Sequence, residues 1–168
     1  KTLSVSPITT HIALNKVFKN INEKKIIQKV KSINRFYIKF LNRKPKFAIL
    51  GLNPHNFTSS KKSKEYLIIK NSIKKLTKLN INVKGPISAD SCFVIYKEDK
   101  FDVIIGMYHD QVLSPYKALF NFNAINITLG LPYMRVSPDH GTAHNIAGKG
   151  IANPISLIES IKFFNLIK

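Results

Sequence analysis

Phe47-Ala48-Ile49-Leu50 is an unbroken apolar run that ends at once in Gly-Leu-Asn-Pro-His. Four apolar residues closed by glycine and proline are too short for a helix and describe a strand buried on both faces. Other segments share this form: a strand-like run, then a histidine or an acid. Residues 2–8 lead into Thr9-Thr10-His11, Pro86-Ile87-Ser88 into Asp90, and the strand 101–107 into Tyr108-His109-Asp110. Helical segments lie between them. Residues 13–21 read as one. Residues 24–42 carry Ile26, Ile27, Val30, Ile33, Phe36, Tyr37, Phe40 and Leu41 at helical spacing, with lysines between. A third, with Ser59 or Ser60 as its cap, carries Tyr66, Ile69, Ile73 and Leu76. Strands alternating with helices predict an α/β fold around a largely parallel sheet.

The rest of the chain is less regular. Residues 81–93 read as irregular, with a Gly-Pro break. Residues 110–120 read as a short helix interrupted by Pro115, and 124–131 as a strand. Residues 137–154 form a glycine-containing loop with a helical turn. A final helix over 154–167 has Pro154 near its first turn. No repeat or low-complexity linker marks a domain boundary. The strand at 46–52 and the helix at 24–42 are expected to be too apolar to stand uncovered.

Charge raises the question of nucleic acid. The formal net charge is +18, yet only Arg35, Arg43 and Arg135 of the 27 basic residues are arginine. Sequence readers favour arginine for its bidentate geometry, often beside stacking aromatics. Lysines scattered among Ile and Asn read instead as solvated helix faces, and nucleic acid is not an expected partner. Residues 1–100 hold 20 lysines, while 101–161 hold two, Lys117 and Lys149, so the last third resists the drift toward lysine. No apolar run approaches the roughly 20 residues that a membrane span needs, and the first residues contain no signal-peptide core. Cys92 is the only cysteine; an intrachain disulfide is excluded and a cytoplasmic location is expected.

If the strands are parallel, their carboxyl ends converge on one edge, where open α/β sheets place their chemistry. His11, His55 and His109 would meet there. Three imidazoles suit a divalent transition metal, and Asp90 or Asp110 could orient an imidazole or move a proton. None of these residues forms a local metal signature, and each histidine has the alternative of closing a turn. Lys117 and Arg135 flank this region in a stretch otherwise poor in charge. They point to an anionic substrate, phosphate or carboxylate. Asn126 alternates with strand hydrophobics and shares a predicted face with Thr128.

The motifs GLNPH, GPISAD, MYHDQVLSPYKA and NITLGLPYMRVSPDHGTAHNIAGKGIANP, with the early TTH, resemble the 4-hydroxythreonine-4-phosphate dehydrogenase family of pyridoxal 5′-phosphate synthesis. They run in family order from residue 9 to residue 156. The segment DHGTAHNIAGKGIANP, from Asp139 to Pro154, also resembles the cofactor loop of the wider isocitrate and isopropylmalate dehydrogenase superfamily. The resemblance implies a three-layer α/β/α fold, with residues 1–168 as its C-terminal part and the N-terminal half absent. It implies NAD-dependent oxidation and decarboxylation of 4-phosphooxy-L-threonine to 3-amino-2-oxopropyl phosphate, in a homodimer with its active site at the interface. It places a divalent zinc, magnesium or cobalt ion on His11, His55 and His109, with Asp90 and Asp110 as nearby acids. Substrate falls to Lys117, Asn126 and Arg135, and NAD to His140, Gly141, Asn145 and Gly148.

One departure concerns the segment after GLNPH, which in the family is acidic and glycine-rich. Here residues 56–66 contain no glycine, and their first acid is Glu65. Competing readings are a sister enzyme acting on a four-carbon aldonate 4-phosphate, and a non-catalytic fragment or basic binding module.

Overall fold

A computed structural model describes residues 3–57 and 63–167. The predicted caps Ser59 and Ser60 lie outside the described residues. The chain forms two compact units, Lys1–Pro115 and Tyr116–Lys168.

The first unit holds β1 (Ser4–Thr9), α1 (Leu14–Asn20), α2 (Glu23–Leu41), β2 (Phe47–Leu50), α3 (Lys64–Lys78), β3 (Val83–Ile87), α4 (Ala89–Ile95) and β4 (Val103–Tyr108). The four strands make one sheet in the order β1-β4-β2-β3. Every pairing is parallel, as the alternation of strand and helix predicts. β2 is buried at every position, and Val103 to Ile105 of the neighbouring β4 are equally dry.

Local chemistry explains the helices. The Asn22 side chain accepts from the Lys25 amide at 2.9 Å, which caps α2, and Asn42 ends that helix in the left-handed region. The predicted stripe turns inward: Ile26, Val30, Ile33, Phe36 and Tyr37 are buried. α2 and α3 pack on each other and reach β1 and β3. β2 and the apolar stripe of α2, expected to be too apolar to stand uncovered, are both covered within the unit. Asp102, 4% exposed, is an acid inside this unit. It is held by the Arg43 guanidinium and by the Lys46 amide at 2.8 Å.

Residues 81–93 are not irregular. They are β3 followed by α4. The Gly85-Pro86 peptide is cis, and the Gly85 Cα lies against the Ile49 carbonyl, where a Cβ would come within 2.5 Å. The Gly-Pro pair thus fits a strand against its neighbour rather than breaking it.

Helix α5 (His109–Phe120) starts directly at the end of β4 and runs through Pro115, so the proline removes one backbone hydrogen bond without ending the helix. The division between the units falls inside α5, and no linker composition marks it. The second unit continues with β5 (Ile125–Thr128), β6 (Arg135–Pro138), a 3₁₀ turn at His144–Ile146 and α6 (Ile155–Leu166). β5 and β6 pair antiparallel in a separate two-stranded sheet, and α6 packs against both. β6 has no counterpart in the sequence reading. Its four residues, Arg-Val-Ser-Pro, contain two turn formers, and pairing with β5 decides their conformation.

Candidate functional site: the sheet edge and the hairpin face

Because the four strands are parallel, all their carboxyl ends lie on one edge. Read in sheet order, that edge carries His11 after β1, His109 and Asp110 after β4, His55 after β2, and Asp90 after β3. The imidazole rings of His11 and His109 lie 6.0 Å apart between centroids. Two imidazoles sharing one ion, with metal–nitrogen bonds of about 2.1 Å, sit roughly 5–6 Å apart. His109 Nδ1 is 2.7 Å from Asp110 Oδ1, which leaves Nε2 as the nitrogen able to take an ion. His55 Nδ1 is 3.9 Å from Asp90 Oδ2. The row is thus drawn together as two groups, His11 with His109–Asp110 and His55 with Asp90. Among the described residues, no three histidine, cysteine or acidic side chains gather closely enough to hold an ion. The donor types and the His11–His109 separation fit a divalent cation.

His11 and His55 both have left-handed backbone, with φ of 52° and 50°. Side chains beyond glycine rarely adopt it, at a cost of about 1–2 kcal/mol. Strain of this kind collects where a side chain must be aimed. In this case it falls on two of the three predicted ligands.

The sequence reading missed the two residues that fix the edge. Gln111, 8% exposed, accepts from the Met107 amide at 2.7 Å and donates to the Gly51 carbonyl at 2.7 Å. One side chain thereby ties the end of β4 to the exit of β2. Thr9 donates its hydroxyl to the Met107 carbonyl at 2.7 Å, tying β1 to β4. The available signal was a glutamine set between His109-Asp110 and the apolar Val112-Leu113, where a buried amide needs fixed partners. Gly106 makes room for this turn: a Cβ there would lie 2.5 Å from Val112 Cγ1 and 3.1 Å from Gln111 Oε1. The loop after β2 is anchored too, since Asn53 Nδ2 donates to Glu65 Oε1 at 2.9 Å. The single acid left in the departing segment therefore restrains the loop that carries His55.

In the second unit, the register places Asn126 opposite Ser137 and Thr128 opposite Arg135. Alternate residues of a strand share a face, so Asn126, Thr128, Arg135 and Ser137 form one polar face of the hairpin. Asn126 and Thr128 fall together as the sequence predicts. Arg135 donates from Nη1 to Thr128 Oγ1 at 2.8 Å and is exposed. Lys117 is not the unpaired cation that its charge-poor surroundings suggest: its Nζ lies 3.2 Å from Asp139 Oδ2. Asp139 is fixed in turn by its amide, which donates to Ser156 Oγ at 2.9 Å. The candidate cofactor residues His140, Gly141, Asn145 and Gly148 are all exposed, and Gly148 has a left-handed φ of 75° with nothing within 4 Å of a Cβ built there.

A parallel sheet with imidazoles and carboxylates along its carboxyl edge, joined in sequence to a polar hairpin, defines an α/β protein of the open-sheet class, whose members carry their ligand sites at that edge. Comparison narrows the class. The model of the family described as pyridoxal phosphate biosynthetic protein PdxA matches residues 1–164, and the chain belongs to that family. A relative named 4-hydroxythreonine-4-phosphate dehydrogenase, from Sulfurihydrogenibium sp., is 49% identical over 100% of this chain and 52% of its own length. One of the same name from Bradyrhizobium diazoefficiens is 38% identical over 95% of this chain and 47% of its own. The crystal structure of 4-hydroxythreonine-4-phosphate dehydrogenase from Klebsiella pneumoniae superposes with a TM-score of 0.83 at 33% identity, covering 98% of this chain and 51% of that one. The chain spans about half the length of the relatives it matches. Among the described residues no helix is long and apolar enough to cross a membrane.

Proposed function

We propose that these residues supply the metal-binding edge and part of the substrate site of an NAD-dependent dehydrogenase. Its substrate is 4-phosphooxy-L-threonine, which it oxidises at the C3 hydroxyl and decarboxylates to 3-amino-2-oxopropyl phosphate in pyridoxal 5′-phosphate synthesis. The observation that carries this reading is the row His11, His109–Asp110, His55, Asp90 along one parallel sheet edge, in a chain of the PdxA family.

His11, His55 and His109 would hold the divalent ion, be it zinc, magnesium or cobalt. When bound, the ion supplies Lewis acidity at the oxidised oxygen and NAD supplies the hydride acceptor. Asp110 orients the His109 ring through Nδ1. Asp90, well exposed and with its Oδ2 3.9 Å from His55 Nδ1, would accept the hydroxyl proton. Asn126 and Arg135 share the hairpin face that would meet the phosphate or carboxylate, with Lys117 as a further cation. The loop from His140 to Gly148 would lie against NAD, its small residues permitting close backbone approach. Homodimerisation would supply the groups that one chain does not assemble, and cytoplasmic location agrees with a soluble biosynthetic role.

The test is turnover by this chain together with the rest of the family's length. NADH should form from 4-phosphooxy-L-threonine only when a divalent ion is present, and His109→Ala should abolish it. Turnover of a four-carbon aldonate 4-phosphate with none of the threonine derivative would move the assignment to the sister enzyme.

A further inference from the structure

Arg135 is the only arginine of the second unit, and both acids of that unit are already taken: Asp139 by Lys117 and Glu159 by Lys162. Among the described residues the guanidinium meets no carboxylate. Its anchor is neutral. Nη1 donates to Thr128 Oγ1 at 2.8 Å, between residues that stand directly opposite in the β5–β6 register. That bond uses one N–H group of the guanidinium and leaves the others for an anion. A long exposed side chain ordinarily samples many rotamers, and ordering it opposes binding. Thr128 orders it before any ligand arrives. The branch at its Cβ leaves χ1 little freedom, so the acceptor oxygen is itself held. Asn126 and Ser137, opposite each other on the same face, add neutral polar groups, and no acid shares that face.

We propose that Thr128 is a positioning residue for the reaction proposed above: its hydroxyl fixes the Arg135 guanidinium across the hairpin in the orientation that receives the substrate's phosphate. The inference rests on that reading of the substrate. Phosphate is selected over carboxylate for a physical reason. A guanidinium fork alone satisfies the oxygens of a carboxylate, whereas a phosphate carries more charge and more acceptor oxygens. A face that sets neutral polar groups beside the fork and holds no acid matches the larger anion. A mobile arginine would still attract phosphate, but each binding event would then have to order it. Thr128 therefore acts on affinity for the phosphorylated group and not on the hydride or proton steps.

The experiment uses this chain together with the rest of the family's length. The Michaelis constant for 4-phosphooxy-L-threonine is measured, and the dissociation constant of inorganic phosphate is read by calorimetric titration. Valine keeps the shape and strand preference of threonine and removes the acceptor. Thr128→Val should raise both constants about three- to tenfold, the effect of losing one side-chain hydrogen bond. The kcat and the Michaelis constant for NAD should stay within about twofold, because only binding of the phosphorylated group is lost. Thr128→Ala should do the same, and Thr128→Ser, which keeps the hydroxyl, should restore the unsubstituted values. In an Arg135→Ala background, Thr128→Val should change either constant less than about twofold, because its effect passes through the guanidinium. Unsubstituted protein that binds no inorganic phosphate would overturn the proposal, as would unchanged constants in Thr128→Val. So would a Thr128→Val effect that survives the loss of Arg135, or one that moves the constant for NAD as much as that for substrate. The phosphate titration needs no turnover. Phosphate held through Arg135 and Thr128 in a protein that leaves 4-phosphooxy-L-threonine unreacted would sink the enzymatic reading and leave the Thr128 assignment standing.

Discussion

Lys117 Nζ lies 3.2 Å from Asp139 Oδ2 and donates to the Asp139 carbonyl at 2.9 Å. The amine expected to meet an anion already has one. Asp139 itself opens the candidate cofactor loop, so the pair joins two parts of the proposed site. Lys117→Met should raise the Michaelis constant for the phosphorylated substrate about tenfold or more, since roughly 1.4 kcal/mol of lost binding is tenfold. Asp139→Asn should raise it less than about threefold, because the carbonyl still holds the amine and an exposed pair contributes under about 1 kcal/mol. Equal losses in the two variants would show that the pair serves structure alone.

The imidazole row predicts a graded metal response. His109→Ala should lose the ion. Asp110→Asn should keep it with an affinity about 10–100 times weaker, the usual result of removing a carboxylate that orients a ligand. Metal analysis and calorimetric titration of the assembled protein read both. Full occupancy in His109→Ala would remove His109 from the ligand set.

Gln111 predicts a stability effect without a change of charge. Gln111→Leu strands the buried Met107 amide and Gly51 carbonyl, each at about 1–3 kcal/mol. Denaturant unfolding should show a loss of about 2–6 kcal/mol, and metal affinity should fall because the β2 and β4 exits are no longer tied. An unchanged midpoint would mean that water replaces the amide.

Cys92 is wholly buried, and burial first, then Asp99, pushes its thiol from an ordinary 9.0 up to about 12. The native fold therefore holds a proton that the unfolded chain releases near pH 9. This contribution to stability is complete below pH 9 and is lost as pH rises from 9 toward 12. At pH 8 a thiol reagent should modify Cys92 only as fast as the protein unfolds. Rapid modification of folded protein would contradict the burial.

Gly148 separates backbone from contact. A side chain there meets open space, so Gly148→Val should cost only the left-handed backbone penalty, about 1–2 kcal/mol. If the loop faces NAD, the Michaelis constant for NAD should rise more than that for substrate. Equal changes would make the loop a structural turn.

The sequence alone determined the elements with strong periodicity. β2 and β4 were legible as dry apolar runs, α2 and α3 as stripes, and the placement of His11, His55, His109 and Asp90 along one sheet edge followed once the strands were taken as parallel. Hydrophobic pattern is a local property, so it reads directly from the chain. Tertiary structure decided the rest. β3 is a strand only because Gly85-Pro86 fits against Ile49, and β6 is one only because β5 pairs with it. Lys117 lost its apparent isolation because folding carried Asp139, 22 residues away, to its amine. Gln111 and Thr9 became the ties of the site edge through partners on other strands. α6 shows the limit most clearly. Its composition reads as an apolar helix, but which side faces inward was settled by two serines and the partners waiting for their hydroxyls. Hydrogen bonds between distant residues are set by geometry that no local pattern records.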